Sequence, residues 1–328
     1  MARTGRAGKR AARRAVTAAF AASLAACATV PLTPSGAPQD IRIAGSRVFP
    51  ESITSDARGN VYVGSMSGTI YRATPGSTIA EPWIVAEAQN GLLALFGVLV
   101  DERSGRLWTC SNPNPFARGS STPAGSSLVA FELEDGAFAA TYPFPAGRAA
   151  CNDIVVAGDG TLFITETAGG RIFRLAPGGS ELELFAQGED LVGIDGIALA
   201  DDGRMYINNV RANLVQRVER RGDGTYAGLT TLDLSQPVSG PDGLRSIGGN
   251  RFLQAEGAGG RVAPITIEGD RATVTPLKTG LQSSPAVTRV GSIGYATEGK
   301  INYLIDPALQ GQDPGDFYIR AFALPEGL

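Results

Sequence analysis

The 328-residue sequence contains no histidine. That absence removes Ser-His-Asp and Cys-His catalysis and any zinc centre held by imidazole. Cysteine is scarce, with three in the chain, and long helix-type patterns are few. No alternation of strands and helices is visible either, which excludes a parallel α/β sheet. Chemistry here must use carboxylates, amides, hydroxyls or a metal held by oxygen. What is abundant points to β structure: 43 glycines and 20 prolines imply many turns. Hydrophobic residues at 43% and charged residues at 19% fit a globular chain with a sizeable core.

Residues 1–26 read as an export leader. Six basic residues (Arg3, Arg6, Lys9, Arg10, Arg13 and Arg14) precede the apolar stretch AVTAAFAASLAA, which is too short for a comfortable membrane span. The leader ends in Leu24-Ala25-Ala26-Cys27, which resembles the lipobox of bacterial lipoproteins. Cleavage before Cys27 and lipidation of its thiol would tether the protein to a membrane, facing the periplasm or the outside. The plainer alternative is a secretory signal in which Cys27 is incidental. Residues 27–39, rich in Pro, Ser and Gly, form the expected flexible tether, and 40–328 the folded domain. Loss of the leader removes basic residues only, so the mature chain is more acidic than the net −3 of the whole. Nucleic acid, which needs a positive surface, is not an expected partner.

From residue 40 onward one unit recurs. FPESITSDARGNVYVGS, LFGVLVDERSGRLWTCS, ACNDIVVAGDGTLFITE, GIDGIALADDGRMYINN, GPDGLRSIGGNRFLQAE and, more faintly, SSPAVTRVGSIGYATE share one design. Each is an apolar strand, a turn of Gly, Asp and Asn, and a second apolar strand. The anchor positions Glu51, Gly97, Asn152, Asp195, Asp242 and Ser284 are 46, 55, 43, 47 and 42 residues apart. Units of that length, each long enough for about four strands, predict a six-bladed β-propeller, an all-β fold. Ring closure is expected to involve DIRIAG near residue 40 and FYIRAFAL near the C-terminus, with the pairing left open.

The anchors form a first ring at the starts of the innermost strands. A second ring follows 14 residues later: Ser65, Ser111, Glu166, Asn209, Glu256 and Glu298. A hairpin brings both rings to the same blade edge, at the mouth of the central channel. Glu51, Asp195 and Asp242, with the amide of Asn152, would crowd that mouth. Two such carboxylates about 4 Å apart cost roughly 4 kcal/mol at an effective dielectric of about 20. Either they hold protons or a cation sits among them. An all-oxygen donor set suits a hard ion, Ca²⁺ first and another divalent ion second. The bland alternative is that these residues cap strand ends and bind water.

These motifs resemble the senescence-marker-protein/gluconolactonase group of six-bladed propellers, related to calcium-dependent lactonases and phosphotriesterases. The resemblance spans nearly all of 40–328. It rests on Pro50-Glu51, Cys151-Asn152-Asp153, Ile194-Asp195-Gly196 and Pro241-Asp242-Gly243, each opening a blade. It implies that Glu51, Asn152, Asp195 and Asp242 bind a catalytic divalent ion. Two departures stand out. Asp195 replaces the Asn of many members, which adds charge, and Ala150 replaces the Arg that sugar-lactonase members carry before Asn-Asp.

The resemblance implies a Ca²⁺-dependent hydrolase of a lactone or related ester, with Asp242 as the carboxylate that activates water or attacks. Asp153 and Glu298 are further candidate bases. Glu166, Asn209 and Glu256 of the second ring, with loop 112–127, would shape a substrate pocket, and Arg118 or Arg148 could contact an anionic group. The competing reading is a tethered, non-catalytic binding propeller with a structural ion. A monomer is expected. Cys110 and Cys151 fall at one mouth on neighbouring blades, and an exported chain permits their disulfide. Two buried free thiols are the even alternative.

Overall fold

The computed structural model describes residues 1, 2, 5, 37–116, 125–145 and 149–328. The leader beyond its first residues, Cys27, the tether up to residue 36, Arg118 and Arg148 lie outside the described residues. Its regular secondary structure is almost entirely β-strand. A four-residue α-helix, Asn302–Ile305, and a 3₁₀ turn, Glu189–Leu191, are its helical pieces. No described helix is long and apolar enough to cross a membrane.

The repeated hairpin closes the same way in successive units. In 150–166 the Ala157 N–H donates to Thr161 O at 2.8 Å and the Gly160 N–H to Ala157 O at 2.9 Å. The Asp159 carboxylate accepts the Thr161 N–H at 2.8 Å, and Gly160 takes φ 92°, a conformation that costs glycine nothing. Asp56–Asn60 and Ala200–Arg204 close alike, with Gly59 and Gly203 in the matching place. The turn chemistry thus fixes register, and register keeps each apolar face inward.

The strands assemble into five hydrogen-bonded sheets. Three are four-stranded meanders, starting with Ala94–Asp101, Cys151–Val156 and Ile194–Leu199. A fourth begins with Pro241–Gly248 and carries two extra short strands. The fifth holds eight strands and contains both the first and the last strand of the described chain. In it Ile41–Ile43 pairs antiparallel with Phe317–Ala323 (Ile41 opposite Ile319) and parallel with Ile79–Ile84 (Arg42 opposite Ile79). The segments DIRIAG and FYIRAFAL therefore meet each other. The parallel step fuses the first and last strand sets into one sheet.

The first strands pack in a closed circle. Pro50–Ser55 contacts Ala94–Asp101, which contacts Cys151–Val156, then Ile194–Leu199, Pro241–Gly248 and Val287–Val290, which returns to Pro50–Ser55. Apolar clusters fill the gaps between neighbouring sheets. One holds Trp108, Leu128, Ile154, Ile164 and Phe173. Burial of each such side chain contributes about 1.5–3 kcal/mol.

The same gap contains a covalent link. Cys110 and Cys151 form a disulfide with Cα atoms 5.3 Å apart. Beside it, Asn112 uses its side-chain amide as a strand would. Its Nδ2 donates to Cys151 O at 2.8 Å, and its Oδ1 accepts the Cys151 N–H at 3.0 Å. This staple pins the strand that carries Asn152. Replacing both cysteines by serine is expected to cost about 3–4 kcal/mol, read as a lower denaturant midpoint with a slope that rises as the unlinked denatured chain expands. A loss under about 1 kcal/mol would show that the Asn112 bridge suffices.

Candidate functional site

The first ring owes its geometry to β-bulges. Register slips between Pro50 and Ser52, Leu95 and Val98, Cys151 and Ile154, Ile194 and Ile197, and Pro241 and Leu244. In each of these five strands the anchor residue sits inside the slip. A bulge removes a residue from the ladder and re-aims its side chain. The strand Val287–Val290 has no slip, and there Pro285 and Ala286, rather than Ser284, face the shared cavity.

Close approach of neighbouring strands makes glycine necessary beside the anchors. A Cβ on Gly97 would stand 2.1 Å from Asn152 O, and one on Gly196 would stand 2.3 Å from Asp242 O. The second unit therefore offers no anchor side chain because the main chain of the third occupies its space. Side chains one position before the second ring hold that main chain in place. Thr165 Oγ1 donates to Asp195 O at 2.6 Å and accepts the Asp153 N–H at 2.9 Å. Asn208 Nδ2 donates to Asp242 O at 2.5 Å, and its Oδ1 accepts the Gly196 N–H at 2.8 Å. Cys110 occupies the same register in the second unit, so the disulfide is the covalent form of this tie. Sequence reading missed Thr165 and Asn208; their common offset of 13 from an anchor was the available signal.

Glu51, Asn152, Asp195 and Asp242 come together. With Ser52, Gly97, Asp153 and Arg245 they line one cavity of about 10 Å³, roughly room for a single water-sized occupant. Glu51, Asn152, Asp153 and Asp195 are buried, and Asp242 is partly so. Asn152 Nδ2 donates to Asp195 Oδ2 at 2.9 Å and to Thr167 Oγ1 at 2.8 Å. That leaves Oδ1 as the atom it can offer an ion. Asp195 Oδ1 is buried with no hydrogen-bond partner.

The electrostatics are those of crowded acids. Burial raises the Asp195 carboxyl to about 7, aided by the charge of Asp153 and opposed by hydrogen bonds from Asp242 and Asn152. Burial also pushes Asp242 well above the carboxylate range, with the charges of Asp195 and Glu51 adding to it. Glu51 is raised by burial first, then by Asp195 and Asp153, while Arg245 pulls it back. Among the described residues, no three of His, Cys, Asp and Glu stand in a ready-made ligand arrangement. The acids surround the cavity without closing into a shell. Three carboxylates without a paired cation, one orphaned buried oxygen and an all-oxygen donor set nonetheless fit a hard divalent ion.

Arg245 was not singled out in the sequence. It pairs with Asp153 at 2.7 Å, and Asp153 further accepts the N–H groups of Ile154 and Ile197 at 2.9 and 3.1 Å. A carboxylate so engaged is not a free base.

The second ring goes elsewhere, off the cavity lining. Glu166 is fully buried. Its Oε1 accepts N–H groups of Ala150, Ala168 and Gly169, and its Oε2 pairs with Arg171 at 2.8 Å. Glu256 is equally buried, takes the Ser239 N–H and pairs with Arg261. Asn209 accepts from Arg211 and Ala212 and donates to Val192 O. Glu298 accepts the Gln282 N–H and pairs with Arg320 at 2.6 Å. Glu166 and Asn209 clamp the loop before their hairpin to the turn after it, while Glu256 and Glu298 tie that loop to an arginine on a neighbouring strand. Register does put these residues at the same blade edge as the anchors, with Glu166 opposite Cys151, Asn209 opposite Ile194 and Glu256 opposite Pro241, but their expected part in shaping the pocket is not what the structure shows. The bulge separates the anchor from its hairpin partner.

Known proteins with this architecture are diverse. The model of the strictosidine synthase-like N-terminal family matches residues 24–73. No curated protein matches the chain significantly in sequence. Among solved structures, a gluconolactonase from Xanthomonas campestris superposes with a TM-score of 0.61 at 16% identity, over 89% of this chain and 99% of that one. An inactive virginiamycin B lyase from Staphylococcus aureus gives 0.57 at 14%, over 88% and 99%. The aldose sugar dehydrogenase of Streptomyces coelicolor, with bound PQQ, gives 0.57 at 14%, over 86% and 96%. The fold is a β-propeller like those of these neighbours. At these identities the likeness speaks for architecture, and architecture alone does not choose among hydrolase, lyase and dehydrogenase.

Proposed function

We propose that the chain is an exported, membrane-tethered hydrolase of a lactone or related ester, dependent on a divalent ion, calcium first. The closed circle of six first strands supports a six-bladed count. The observation that carries the metal reading is the cavity itself, where Glu51, Asp195 and Asp242 face one another without a paired cation. Those three, with Asn152 through Oδ1, would hold the ion. A bound divalent ion supplies positive charge against the oxyanion that develops on a carbonyl under attack.

The remaining work falls to the chain's own groups. Asp242 would take the proton of an attacking water, or attack directly, at its carboxylate. Asp153 and Glu298, each bound to an arginine, are left as positioning groups. Glu166, Asn209 and Glu256 act on substrate only through the loops they clamp. Lipidation at Cys27 would keep the monomeric domain at the cell envelope.

The small cavity supports a second reading. An occupant hemmed in by about 10 Å³ suits a structural ion in a binding propeller. A panel of lactones, esters and phosphotriesters, run with calcium and again with chelator, separates the two. Turnover that chelator abolishes and calcium restores is the expected result. No turnover of any panel member would favour the binding reading.

A further inference from the structure

Among the residues lining the acidic cavity, Arg245 is the single cation. Its side chain leaves the strand Pro241–Gly248 and crosses to Asp153 on Cys151–Val156, where Nη1 reaches both carboxylate oxygens at 2.9 and 2.7 Å. Nη1 also donates to Leu244 O at 2.9 Å, and Nη2 lies 3.5 Å from Val98 O on the strand Ala94–Asp101. Asp153 in turn holds the Ile197 N–H, so four inner strands meet at this pair. The two side chains are 13% and 5% exposed.

A pair so enclosed is a weak source of stability, because the desolvation cost roughly offsets the attraction. The cavity gives it a stronger consequence. The guanidinium neutralises one of the four carboxylates on the cavity wall and occupies both oxygens of Asp153. It also stands as a fixed positive charge beside any ion that enters. Both effects oppose cation binding.

We infer that Arg245 sets the divalent-cation affinity of the cavity. As the resident counter-ion of Asp153, it confines the anionic ligands to Glu51, Asp195 and Asp242. Binding is thereby held weaker than four free carboxylates would make it. This rests on the metal reading above and concerns what tunes that site.

The test is calorimetric titration of the chelator-stripped protein with calcium. Arg245→Met is expected to tighten binding by about tenfold or more, since it removes a nearby charge and frees Asp153. Asp153→Asn, which strands the guanidinium, should weaken binding by a similar factor. The double variant should return to within about threefold of wild type, and Arg245→Lys should stay near it. A merely structural role predicts the opposite sign for Arg245→Met, because a loosened wall binds calcium less well; that result would overturn the inference alone. If Arg245→Met does not fold, Asp153→Asn decides, and unchanged or tighter binding would overturn it. A wild-type protein that binds no calcium would overturn the metal reading and this inference together.

Discussion

Replacing Asp242 by asparagine is expected to lower hydrolysis by roughly 10²–10⁴-fold, the range typical for loss of a positioned acid-base group. The amide keeps the shape of the side chain but neither takes a proton nor attacks. The same change should make the calcium-free protein more stable. Burial and the charges of Asp195 and Glu51 hold the Asp242 carboxyl far above its ordinary range, so its ionised form works against folding. Removing it relieves that repulsion. Calcium should then stabilise the variant less than wild type, since one anionic ligand is gone. Lost activity with a raised calcium-free midpoint and a reduced calcium response is thus a three-part signature. A variant that simply unfolds more easily would show that Asp242 serves the fold instead.

Calcium should matter most at neutral to alkaline pH. In the ion-free protein the folded state keeps protons on Asp195, near 7, and on Glu51 and Asp242, while the unfolded chain releases them near 4. Asp195 therefore adds stability that is fully present below about pH 4 and is lost as pH rises through about 7, and Glu51 and Asp242, raised in the same direction, add to the loss as they ionise. The ion-free thermal midpoint should fall between about pH 5 and 8, by an amount equivalent to a few kcal/mol. Calcium binds the ionised cluster, so its stabilisation should grow over the same window and be accompanied by proton release. Thermal scans with and without calcium across that range check this. Parallel curves would mean that the cluster does not hold the ion.

Much of this was legible in the sequence because the repeat acts as its own alignment. The recurring turn chemistry located the hairpins, and the spacing of Glu51, Asn152, Asp195 and Asp242 brought four side chains to one cavity. The second ring was misread for a physical reason. Glu166 and Glu256 look like active-site acids in sequence, yet their oxygens bind turn N–H groups and a nearby arginine, Arg171 or Arg261. An offset of 14 does not reveal a bulge, and the bulge turns the anchor toward the cavity while its hairpin partner stays bound to the adjoining loop. Arg245 was hidden because its meaning depends on Asp153, 92 residues away. Local pattern reports nothing about such a crossing.

The acid cluster is proposed to hold one divalent ion. The most direct measurement is a crystal structure of the protein soaked in calcium, with anomalous scattering to place the ion. A single site is expected, with oxygens of Glu51, Asn152, Asp195 and Asp242 at about 2.3–2.6 Å from the ion. An ion bound elsewhere, or a water in that cavity at saturating calcium, would contradict it.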